Sequence, residues 1–112
     1  RPFSARFKLE RVWVERWLHM VDRSLVKQPG ATVAVVRTAN LIRGHGDAYQ
    51  NGLAEWNVII DRLVKPTCDG DLPLPKLEAA IQEARDAAIG EQGQSRLLNA
   101  VEQLRAQALT QG

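Results

Sequence analysis

From Ser4 to Ala108 the apolar residues return every three or four positions, in one segment after another. Tyr49, Leu53, Trp56, Ile60 and Leu63 step by four, three, four and three. That spacing is the mark of a helix burying one face, and it limits the chain to folds made of packed helices. Leu9, Trp13, Trp17 and Met20 repeat the pattern near the start, with a second apolar row at Val14, Leu18, Val21 and Leu25. Two adjacent rows predict a long first helix over residues 4–27, capped by Ser4 and packed on more than one neighbour. Pro29-Gly30 stops it.

A second helix is expected over residues 31–43. Its Thr32-Val33-Ala34-Val35-Val36 run also fits a buried strand, but nothing else in the chain offers a partner strand. An unpaired strand would leave its backbone groups unsatisfied, so helix is the expectation. Gly44-His45-Gly46 then breaks the chain. Asp47 is read as the N-cap of a third helix, with Gln50 reaching back as a capping box, and this helix is expected to end near Lys65-Pro66. Gly52 inside it costs about 1 kcal/mol relative to alanine, which suggests close approach by a neighbouring backbone. Residues 66–75 read as a turn-rich loop, and Pro75 as the first position of a fourth helix. Leu77, Ala80, Ile81, Ala84 and Ala88 form its apolar face. A fifth helix from Ser95 turns Leu97, Leu98, Val101, Leu104 and Ala108 inward.

All three Trp, the Tyr and both Phe lie in residues 1–65. Aromatic side chains bury the largest areas. The expected architecture is therefore an all-α compact bundle of about five helices in one domain over residues 1–112. A core of three aromatic-rich helices (1–66) is followed by a lighter helical hairpin (67–112). The chain opens on Arg1-Pro2-Phe3 rather than Met and is expected to be part of a longer protein. The longest stretch without a charged side chain runs from Gln28 to Val36, too short to cross a bilayer, and no signal peptide is evident. The single Cys68 excludes an internal disulfide or a cysteine-cluster metal site. A reducing, cytoplasmic setting is expected.

Few groups invite chemistry. The one local cluster is Arg43, Gly44, His45, Gly46 and Asp47. A glycine-rich loop feeding a helix N-terminus is a generic anion site, with Arg43 adding charge. The other reading is a plain corner in which glycine supplies unusual backbone angles, since Asp47 repels a phosphate and neither phosphate-binding glycine fingerprint is present. His19 and His45 are the only histidines and lack ligand-spaced partners, so no metal site is expected. His45 with Asp47 makes a thinkable acid–base pair, but no nucleophile accompanies them. Trp13, Trp17 and Trp56 are read as core. Cys68, placed in the proline loop, has no setting that would make it a reactive thiolate. No catalytic or cofactor-binding residue is assigned.

Charge is uneven. Residues 1–65 hold eleven Lys and Arg against six Asp and Glu, a balance of +5, and residues 66–112 hold four against seven, a balance of −3. The basic half reads as a solvated helical surface, or alternatively as a face for an acidic partner or nucleic acid.

Two stretches carry a family resemblance. They are Arg1-Pro2-Phe3-Ser4 running into Glu15-Arg16-Trp17-Leu18, and the segment from Leu41 through Arg43-Gly44-His45-Gly46-Asp47 to Leu53. With Ile59-Ile60-Asp61 and Leu63-Val64-Lys65-Pro66, they resemble the helical C-terminal region of the long bacterial form of the indolepyruvate ferredoxin oxidoreductase beta subunit. The resemblance covers residues 1–66. It departs from the family pattern at His45, where an aromatic is usual, at Ala48, where threonine is, and at Asn51, where a basic residue is common. The resemblance implies a parent enzyme that oxidatively decarboxylates aryl 2-oxo acids to acyl-CoA, using thiamine diphosphate, iron–sulfur clusters and ferredoxin. None of those binding residues maps onto this chain. What the resemblance implies here is a non-catalytic accessory domain serving packing or assembly, inactive alone. Its partners would be the other domains of its own chain and the catalytic partner subunit. A helical nucleic-acid-binding or regulatory module is the rival expectation.

Overall fold

The computed structural model describes residues 2–111, and side chains from residue 11 to residue 110. Among the described residues the chain is all-α, a bundle of five helical rods with no strand. Helix α1 spans Pro2–Lys27. Ser4, expected as its cap, lies inside the helix, in the stretch whose side chains fall outside the described residues. The second rod is a composite, with a 3-10 turn at Pro29–Ala31, helix α2 at Thr32–Arg37 and a second 3-10 turn at Thr38–Leu41. The valine-rich run is thus helical, and Pro29 starts the rod as well as ending α1.

The third rod differs most from expectation. Helix α3 (Asp47–Ile59) passes through a π turn (Ile60–Val64) into helix α4 (Lys65–Asp69), so Pro66 does not end it. Proline has no N–H for the carbonyl four residues earlier, here that of Arg62, and its ring crowds that carbonyl. The π turn loosens the register just upstream, with the Lys65 amide donating five residues back to Ile60. The Arg62 carbonyl accepts instead from the Arg105 guanidinium at 2.8 Å. The rod ends at Gly70, whose φ of +86° is the usual left-handed helix stop.

Helix α5 (Leu77–Ala87) starts two residues beyond Pro75, so proline is not its first residue. Its start is held instead by Gln28, the residue that follows α1. The Leu77 amide donates to Gln28 Oε1 at 3.2 Å, while Gln28 Nε2 donates to the Leu74 carbonyl at 2.5 Å. Helix α6 (Gly93–Gln111) begins two residues ahead of the expected Ser95. A Cβ on Gly93 would lie closer than 3.0 Å to the Ala88 carbonyl oxygen, so only glycine fits this tight return.

The bundle measures 49 × 32 × 19 Å. With helices about 10 Å across, its thin dimension holds two layers. One buried cluster joins both parts of the chain. Trp56, Ile59, Ile60 and Leu63 of the third rod share it with Leu77 and Ile81 of α5 and Leu97 and Val101 of α6. Leu18 and Leu25, from the second apolar row of α1, are instead exposed at 51% and 54%.

Candidate functional site

The corner at 43–47 is a turn built on two glycines. Gly44 has φ +85° and Gly46 has φ +57° with ψ −125°, conformations that side chains with a Cβ rarely adopt. Gly46, not Asp47, is the N-cap residue of α3, and no side chain caps the helix start. Asp47 is instead the first helical residue, where a carboxylate favours the positive end of the helix dipole. The expected capping box does not form, and the Gln50 amide donates to the Gly46 carbonyl at 3.1 Å. Arg43, His45 and Asp47 are exposed. His19 is exposed as well, on α1. Among the described residues no three His, Cys, Asp or Glu side chains cluster as a metal site would require.

Gly52 fulfils the expectation of close approach. A Cβ there would lie closer than 3.0 Å to the Leu41 carbonyl oxygen. This contact seats the end of the second rod directly on α3. It also defines a groove of about 540 Å³ beside it, lined by Arg43, Asn51, Glu55, Arg85 and Asp86 among others. A second hollow of about 750 Å³ shares Asn51, Glu55 and Gly90 and extends to the first turn of α6. Arg43 thus links the corner to the groove. Burial pushes the Glu55 carboxyl above the usual carboxylate range. Periodicity alone hides this groove, because its walls come from three rods distant in sequence.

The tryptophans are structural, with each indole N–H satisfied. Trp56 is fully buried and donates to Thr38 Oγ1 at 3.1 Å, and Thr38 donates onward to the Val35 carbonyl at 2.6 Å. Trp13 donates to the Tyr49 hydroxyl at 3.1 Å, and Trp17 to the Val36 carbonyl at 3.1 Å. Trp13 packs edge-on against Trp56 with centroids 5.6 Å apart.

Three cations of the basic half, Arg16, Arg23 and Lys65, are engaged by groups of the fold. Arg16 pairs with Asp61, donates to Asn57 Oδ1 at 3.1 Å, and sits 5.8 Å from the Trp56 ring centre. Arg23 pairs with Asp69 and donates to the Cys68 carbonyl at 3.0 Å. Lys65 reaches the same Asp69 at 2.8 Å. The hydrogen bonds from Lys65 and Arg23 hold the Asp69 carboxyl below the ordinary range. The two arginine pairs tie α1 to the third rod. Cys68 is buried within α4 rather than in a loop, and burial raises its thiol pKa, with Arg23 partly opposing. A thiol so placed stays protonated and unreactive at neutral pH.

These features define a helical domain with a polar groove and a basic half partly paired within the fold. The chain belongs to the family of unknown function DUF6537, whose family model matches residues 1–62. That span covers α1, the second rod, the corner and α3. No curated protein and no solved structure matches the chain.

Proposed function

We propose that this chain is a non-catalytic accessory domain of a 2-oxo-acid ferredoxin oxidoreductase of the indolepyruvate type, and that it serves assembly with the catalytic subunit. The observation that supports this reading is an apolar surface on the hairpin of α1 and α2. Trp17 donates to the carbonyls of both Val35 and Val36, and Ser24 Oγ lies 3.0 Å from Thr32 Oγ1, so the two helices run antiparallel in contact. Leu18 and Leu25, seven residues apart, share one face of α1, and Val33 and Val36 share one face of α2. All four are at least 40% exposed. Large apolar side chains exposed together on adjoining helices are the kind of surface that interaction sites use. The patch lies entirely within the span matched by the family model. No helix among the described residues is long and apolar enough to cross a membrane.

The test is co-purification of the chain with the catalytic subunit of such an oxidoreductase. Leu18→Glu with Val33→Glu is expected to weaken association at least tenfold while leaving the far-ultraviolet circular dichroism unchanged. Failure of the unaltered chain to associate would remove the proposal, as would undiminished association of the double variant.

A further inference from the structure

The groove between α3 and the α5–α6 return presents charges of both signs that the fold does not use. The described ion pairs engage Arg11, Arg16, Arg23, Arg62 and Lys65. Arg43 and Arg85 are in none of them, and both line the groove of about 540 Å³. Glu55 faces the same space from α3, and it too has no ion pair among the described residues. Asp86 completes the charged lining, accepting a hydrogen bond from Gln82 at 2.9 Å. Two guanidinium groups and two carboxylates leave the lining with no net charge. Such a lining does not select a dianion or a dication on charge. It selects a molecule whose own opposite charges are held apart, because each end then meets its complement.

We infer that this groove binds a small zwitterion of amino-acid size, its carboxylate on Arg43 and Arg85 and its ammonium on Glu55. Guanidinium groups suit the first task because their planar fork matches a carboxylate. Glu55 suits the second, since it gains a cation to offset its partial burial. Asn51 lies on α3 one turn before Glu55 and lines both hollows, adding a hydrogen-bonding amide. The site is independent of the apolar hairpin face and of the assembly role proposed for it.

The experiment is a titration followed by amide chemical shifts in the labelled chain, with glutamate, succinate and 1,4-diaminobutane as three separate probes at matched ionic strength. Glutamate is expected to give saturable shifts over residues 43–55 and 85–95, at least fivefold tighter than either other probe. Arg43→Gln with Arg85→Gln is expected to abolish saturation while leaving the remaining spectrum in place. Glu55→Gln is expected to weaken glutamate but not succinate. Succinate or 1,4-diaminobutane binding as well as glutamate would overturn the inference. So would the absence of saturable shifts, or shifts that survive in the arginine double variant.

Discussion

Thr38 is fully buried, and its hydroxyl does two jobs, accepting from the Trp56 indole and donating to the Val35 carbonyl. Valine has nearly the same shape but no oxygen, so Thr38→Val would strand a buried indole N–H. The expected loss is about 1–3 kcal/mol, the usual cost of leaving a buried donor unsatisfied, read from urea unfolding. Asp69 makes a different prediction, set by pH. Its carboxyl is lowered in the fold from an ordinary value near 3.8 by Lys65 and Arg23. Its contribution to stability is therefore fully present above that ordinary value and is lost as pH falls through the lowered one. Asp69→Asn should flatten that part of the stability curve below about pH 4. An unaltered acid limb in the variant would contradict the pairing. Of these residues the sequence shows little, because Thr38 meets Trp56 across 18 positions and Arg23 meets Asp69 across 46, although the Lys65–Asp69 pair is local. Gly52 was legible, since a helix interior rarely accepts glycine without a close neighbour to require it.

Elements read more clearly than their ends. The step of three and four residues locates four of the five rods, because burial of one face imposes it regardless of which neighbour covers that face, while the second reads as helix only because no partner strand exists for it. Boundaries depend on single hydrogen bonds, and those are long-range here. Pro66 reads as a stop from local rules, yet the rod continues past it, with a π turn just upstream and Arg105 of α6 donating to the Arg62 carbonyl. The two substitutions should therefore be coupled. Arg105→Met is expected to cost about 1–2 kcal/mol in the original chain, at the low end for a charged hydrogen bond because this one is exposed. In a Pro66→Ala background, where an amide is restored, it should cost measurably less. A double-mutant cycle with no coupling energy would show that Arg105 does not serve this carbonyl. The corner at 43–47 was legible as a turn from its glycines. Its adjoining groove was not, since Arg85 and Asp86 join it only through the packing of α5.

At the scale of the molecule, aromatic content points to the first three rods as the centre of the core, while the buried cluster runs through all five. Small aliphatic side chains explain this. Leu77, Ala80, Ile81 and Ala84 let α5 approach closely enough for complete burial without an aromatic. One continuous core implies one cooperative transition. Leu97→Ala, in α6, is expected to cost about 2–5 kcal/mol, as for other large-to-small changes at buried sites. The loss should shift tryptophan fluorescence and helical circular dichroism together, although α6 holds no tryptophan. Separate transitions would mean that the hairpin unfolds on its own.

Each indole N–H finds a different acceptor, and each acceptor belongs to a different junction. Trp13 reaches Tyr49 of α3, Trp17 the carbonyls of Val35 and Val36 in α2, and Trp56 the hydroxyl of Thr38. The chain consequently carries three native reporters, whose side-chain resonances would register movement at α1 against α3, α1 against α2, and the second rod against α3. No label need be added to learn which of these contacts loosens first on heating, or which one responds when something docks.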